Sequence, residues 1–132
     1  MYKLFTDGGS RGNPGPAAIG CVIWKDGVLE DLDMKYIGIA TNNIAEYKAL
    51  ALGIAKLRKL GADEVEICMD SELVVKQING EYAVKNSEIR KEYSKIKVEL
   101  GFFGNVRVIY VPREQNKVAD RLVNLALDLS NK

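Results

Sequence analysis

Three strand-like runs precede the first helix-forming stretch, and that order narrows the possible folds more than any other feature of the chain. "YKLFTD" (2–7), "AAIGCVIW" (17–24) and a weaker "VLEDLDMKYIG" (28–38) are separated by turn chemistry, with Asp26-Gly27 the sharpest hairpin signal. The pattern then changes period. Helical spacing predicts a helix over 43–60, ended by Gly61, and "EVEICMD" (64–70) predicts a strand rich in β-branched residues. A short helix over 71–78 capped by Ser71, an amphipathic helix over 87–100, a strand "NVRVIYVP" (105–112) and a closing helix over 115–130 follow. The order β, β, β, α, β, α, α, β, α predicts an α/β fold, a mixed sheet that is antiparallel first and parallel after, flanked by helices. No repeat or linker interrupts it, so residues 1–132 are expected to form one domain.

Composition then removes whole classes of chemistry. The chain has no histidine, which excludes serine-histidine triads and histidine-zinc sites. Cys21 and Cys68 sit in apolar strand-like runs without metal-ligand spacing, so both are expected to be buried free thiols. Nineteen lysines and arginines balance 18 acids, a net charge of +1, so any nucleic-acid partner must be held locally rather than by a global field. No apolar run reaches the length of a membrane span, and the start is strand-like; the expectation is a soluble, unexported, cytoplasmic protein with no membrane partner.

Most of the acids fall on solvated helix faces, as Glu88, Glu92 and Glu99 do. Asp7 and Asp70 do not: they close the first and fourth predicted strands, and ligands of sheets with helical crossovers bind beyond such strand ends. Glu46 shares a helical stripe with Leu50, Gly53, Ile54 and Leu57, which puts a carboxylate at the end of a core-facing side. Burying that charge alone costs several kcal/mol, so it needs a partner or a cation, unless it merely favours the positive helix N-terminus. Asp120 lies off the predicted stripe of Val118, Leu122, Leu125 and Leu129, and pattern alone leaves it open between an exposed helix residue and a functional one. Three or four converging carboxylates raise one another's pKa and call for a divalent cation. With oxygen ligands only, magnesium or manganese fits better than zinc, and such sites serve two-metal phosphoryl chemistry.

"TDGGSRGNPGPAAIG", "TNNIAEY", "MDSELVV" and "VPREQNKVADRLVNLA" stand in that order across nearly the whole chain, each with one of these carboxylates. Together they resemble the ribonuclease H type 1 family. The resemblance implies a mixed five-stranded sheet flanked by helices, and an endoribonuclease that hydrolyses the RNA strand of an RNA/DNA hybrid with two magnesium ions, leaving 5′-phosphate and 3′-hydroxyl ends. Manganese is the possible substitute. The resemblance makes Asp7, Glu46, Asp70 and Asp120 the metal-binding carboxylates, with Asp7 bridging both ions. Gly8, Asn13, Asn42 and Asn43 align with substrate contacts, and Thr41 with a position that holds a phosphate of the DNA strand. An amide suits such contacts because it both donates and accepts; Asn13 as a turn former, Asn42 as a helix N-cap and Ser71 as a cap are the structural alternatives.

The chain also departs from the family pattern. The loop before Asp120 lacks the histidine common in relatives, and Arg113 is the nearest group for a phosphate there, with an electrostatic role only. In place of a basic, tryptophan-bearing protrusion stands "NGEYAVKNSEIRKEYSKIK", where Tyr82, Lys85, Arg90 and Lys91 are the available contacts. Glu72 occupies a position where relatives often place a groove-reading glutamine, with Gln77 nearby. The glycine-rich stretch lacks phosphate-loop spacing and leads into a strand, which predicts a proline-stiffened crossing between two antiparallel strands that a nucleic-acid backbone can approach. A non-catalytic binding module on the same fold and a nuclease preferring double-stranded RNA are the alternatives; no obligatory protein partner is evident, and a monomer is expected.

Overall fold

The two-residue turn at Asp26 and Gly27, with φ of 50° and 82°, closes the hairpin between the second and third strands as the sequence predicts. The computed structural model describes residues 1–130. Three strands come first: β1 Tyr2–Ser10, β2 Gly15–Lys25 and β3 Val28–Ala40. Then follow α1 Asn42–Lys59, β4 Glu64–Met69, α2 Glu72–Ile78, α3 Ser87–Leu100, β5 Asn105–Tyr110, a 3-10 turn at Arg113–Gln115, and α4 Lys117–Ser130. The sheet runs β3-β2-β1-β4-β5, with β1–β2 and β2–β3 antiparallel and β1–β4 and β4–β5 parallel. The predicted mixed sheet is therefore the observed one.

One face of the sheet carries the main core. Leu4, Ile23, Ile67 and Met69 pack there against Tyr47, Leu50, Ile54 and Leu57 of α1 and Ile89 and Ile96 of α3. Each such side chain contributes about 1.5–3 kcal/mol on burial. Helix α1 ends as expected at Gly61, with φ of 73°: Gly61 N donates to Arg58 O and Ala62 N to Leu57 O, which satisfies the last carbonyls. Both cysteines are buried and free, and burial pushes the Cys21 thiol up to about 12 and the Cys68 thiol up to about 11. No described helix is long and apolar enough to cross a membrane.

Four expectations need correction. Strand β1 does not stop at Asp7 but continues antiparallel to β2 through Ser10, because the glycines pair as well as any residue: Gly8 with Ile19 and Gly9 with Ala18. Helix α1 is capped by Thr41, whose Oγ1 accepts from Ile44 N at 3.2 Å, so Asn42 is not the cap. Strand β5 stops at Tyr110, and α4 starts at Lys117 rather than 115. Finally, α4 turns its smaller residues inward. Ala119, Val123, Ala126 and Leu127 are buried, whereas Val118, Leu125 and Leu129 are about half exposed, because the sheet surface below is Ala18 and Gly20 and admits a close helix.

Candidate active site

The parallel ladder between β1 and β4 ends at the pair Thr6 and Met69. Asp7 and Asp70 are the next residues on the two strands, so they stand side by side where that pairing stops. On β1 the following residue is Gly8, and a side chain there would collide with the backbone of Ala45 and Glu46. The missing Cβ lets α1 rest on β1 backbone to backbone and brings Glu46 to Asp7. One carboxylate oxygen each from Asp7, Glu46 and Asp70 lie within 4.8 Å of one another.

Asp120 joins from the opposite face. It belongs to the row Asp120, Val123, Asn124, Leu127 on α4, and that row lines a cavity of about 370 Å³ together with Asp7, Glu46 and Asp70. The correction to the α4 stripe is thus what admits Asp120 to the site. Arg113 borders the same cavity. It is 81% exposed, with a guanidinium nitrogen 4.0 Å from the Asp120 carboxylate.

The cluster carries more negative charge than it can hold unaided. Asp7 is pushed from 3.8 up to about 8, chiefly by burial and then by repulsion from Asp70 and Asp120. Glu46 lies well above the usual carboxylate range, again by burial first and then through Asp7 and Asp70. Asp70 is raised too, by burial, although a hydrogen bond from Asn116 opposes the rise. Glu46 Oε2 is fully buried and has no hydrogen-bond partner. An unpartnered buried oxygen among converging carboxylates fits an oxygen-ligated divalent cation.

The glycine-rich crossing is tied to α1 by amides. Asn42 Oδ1 accepts from Ser10 N at 2.9 Å and from Ser10 Oγ at 3.1 Å, and Asn13 Oδ1 accepts from Asn42 N at 3.1 Å. A second cavity, about 430 Å³, opens where the N-termini of α1 and α3 meet, lined by Asn13, Thr41, Asn42, Asn43 and Asn86 among others. Asn86 escaped the sequence reading; it caps α3 by accepting from Glu88 N and Ile89 N, and an asparagine just before an apolar-periodic run is the signal that finds it.

Other predicted residues sit apart from the cavity. Ser71 caps α2, accepting from Val74 N at 3.3 Å. Glu72 is exposed and pairs with Lys76 at 3.1 Å. Gln77 is buried and accepts from the Tyr47 hydroxyl at 2.8 Å, so it is not available to a groove. Arg90 donates to the Val84 carbonyl at 2.7 Å and Tyr82 lies under Lys76, while Lys85 and Lys91 remain exposed.

Comparison with known proteins places this architecture. A model of a reverse transcriptase-like family matches residues 5–126. The solved LC11-RNase H1, in complex with an RNA/DNA hybrid, superposes with a TM-score of 0.95 at 40% identity, covering 100% of both chains. RNase H1 of Halobacterium salinarum gives 0.94 at 39% identity, covering 96% of this chain and 97% of that one. The chain belongs to the ribonuclease H type 1 family. Among curated relatives of this ribonuclease H chain, the bifunctional protein Rv2228c of Mycobacterium tuberculosis is 45% identical over 125 residues, 92% of this chain and 34% of the relative. Ribonuclease HI of Halobacterium salinarum is 40% identical over 125 residues, 94% of this chain and 63% of that protein. The chain thus spans about a third of the mycobacterial relative and under two thirds of the halobacterial one.

Proposed function

We propose that this protein is an endoribonuclease that hydrolyses the RNA strand of RNA/DNA hybrids with two divalent cations, magnesium first and manganese as substitute. The observation that carries the proposal is the convergence of Asp7, Glu46 and Asp70 oxygens within 4.8 Å, with Asp120 on the same cavity. The hybrid-bound structure of a relative 40% identical over the full length supports the substrate class.

Asp7, Glu46, Asp70 and Asp120 would hold the cations. When bound, such ions supply the positive charge that activates water and neutralises the leaving oxygen of a phosphodiester. Around them the chain positions the substrate. Asn13, Asn42 and Asn43 present amides to the sugar and base edges, and the crossing at Gly8 keeps main chain near the RNA strand. Thr41 and the two helix N-termini beside it favour a phosphate of the DNA strand. The Ser71 hydroxyl accepts from Val74 N and keeps its own proton to donate to substrate. The Arg113 guanidinium attracts the phosphate to be cut.

Incubation with labelled RNA/DNA hybrid, double-stranded RNA and single-stranded RNA, with magnesium, manganese or neither, tests this. Cleavage of the hybrid alone, and only with a cation, is expected. Absence of cutting with either metal sinks the enzyme reading, and preferential cutting of double-stranded RNA sinks the substrate class.

A further inference from the structure

Asn116 is 1% exposed, an unusual burial for an asparagine. Its Nδ2 donates at 2.8 Å to the main-chain carbonyl of Thr6, 110 residues away in sequence. Thr6 immediately precedes Asp7, and its partner on β4, Met69, immediately precedes Asp70. On the other side, the Asn116 main-chain carbonyl accepts from Asp120 N at 3.1 Å, and its own N–H donates to Arg113 O at 3.0 Å. One residue therefore ties the first turn of α4 to β1 at the residue before Asp7, beside the end of β4.

Fold stability alone is a poor account of this choice. Asn116 Oδ1 is buried with no hydrogen-bond partner, and an unpaired buried acceptor is unfavourable. A leucine of similar volume fills the place without that penalty. What only a donor supplies is the bond to Thr6 O, on the residue before Asp7.

We propose that Asn116 is a positioning residue for the metal-holding carboxylates: it fixes Asp120 relative to Asp7, and so strengthens their joint hold on a divalent cation. The proposal rests on the metal-dependent activity above. It adds a residue that touches neither the cation nor the nucleic acid.

Calorimetric titration with Mg2+ on the full chain tests it, using wild type, Asn116→Ala, Asn116→Leu and, as a control, Gln77→Ala. Gln77 is also buried, and its substitution removes a buried hydrogen bond to Tyr47 at a distance from the cavity. Thermal melts and steady-state hybrid cleavage accompany each titration. Both Asn116 variants are expected to bind Mg2+ about tenfold or more weakly, as loss of a residue that orients metal ligands commonly does. Their kcat falls in proportion while KM for hybrid stays within about twofold, and raising Mg2+ restores part of kcat. Gln77→Ala loses stability and keeps wild-type Mg2+ affinity.

Wild-type affinity in Asn116→Leu, or an equal loss in Gln77→Ala, overturns the proposal. If Asn116→Ala fails to fold, Asn116→Leu decides; if neither folds, the residue serves the fold rather than the carboxylates and the proposal is again overturned. A wild type that binds no Mg2+ and cuts nothing overturns the activity itself. A wild type that binds Mg2+ no better than its Asn116 variants overturns only the role of Asn116.

Discussion

Ala119 lies directly on Gly20: a Cβ at Gly20 would stand 2.8 Å from the Ala119 carbonyl oxygen. Gly20 is the antiparallel partner of Asp7, and Ala119 precedes Asp120, so this contact sets how closely α4 brings its carboxylate to β1. Gly20→Ala is expected to destabilise the fold by about 1–3 kcal/mol, the usual range for an overpacked core. Hybrid cleavage should fall further than the folded fraction does. Urea denaturation and cleavage assays on the same samples check both.

Stability without metal should decline as pH rises. The unfolded chain releases the Asp7 proton near 3.8, whereas the folded chain keeps it until about 8, so the native state binds more protons between those values. Stability is therefore highest below the lower value and is lost through the window up to the upper one. Asp7→Asn removes this loss. A tenfold change in an acid constant corresponds to about 1.4 kcal/mol, so in chelator at the alkaline end the variant should exceed wild type by more than about 1 kcal/mol. Magnesium should stabilise wild type and leave Asp7→Asn nearly unmoved, with cleavage abolished. Thermal melts with chelator or Mg2+ at both ends of the window measure this.

Arg113 is so exposed that its removal should spare the fold. Arg113→Ala is expected to change stability by less than about 0.5 kcal/mol. It should lower kcat/KM on hybrid by about tenfold, equivalent to about 1.4 kcal/mol of transition-state stabilisation. Arg113→Lys should recover part of the loss, since a point charge replaces a planar fork. Steady-state kinetics over a range of salt separates charge from geometry.

Asn42 offers a test of the crossing. Asn42→Asp keeps the acceptor oxygen that receives Ser10 N and Oγ, whereas Asn42→Ala loses it. The aspartate variant should melt like wild type yet bind hybrid more weakly, most of all at low salt, where its charge repels phosphate without screening. The alanine variant should lose both stability and affinity, with little salt dependence in the difference. Binding titrations at two ionic strengths, paired with melts, distinguish them.

Asp7, Asp70 and Glu46 are readable in the sequence because each breaks an apolar pattern. The two aspartates interrupt strand-like runs, and Glu46 stands at the end of a stripe whose other members, Leu50, Gly53, Ile54 and Leu57, are all buried. Asp120 is not readable in that way. Helix α4 has two candidate inner faces, and bulk favours Val118, Leu125 and Leu129, which the structure leaves half exposed. The choice falls to Ala119 and Ala126 because Gly20 and Ala18 on β2 admit a close helix, and a partner surface more than 90 residues away leaves no mark on the period of α4. Resemblance to the family, rather than periodicity, identifies Asp120. Thr41 and Asn42 are both good caps by type, and only the bonds to Ile44 N and Ser10 N assign them. Asn116 carries no signal at all, being one asparagine in a polar loop whose partner, the Thr6 carbonyl, is brought to it by the sheet.

The site is assembled from both faces of the sheet, with Glu46 arriving on α1 and Asp120 on α4, after the strand ends have set Asp7 beside Asp70. Contacts of such wide sequence separation form late in folding, since loop closure precedes them. During synthesis the first three acids leave the ribosome well before the fourth. A nascent chain therefore carries an incomplete set of ligands until α4 has emerged and docked against β2.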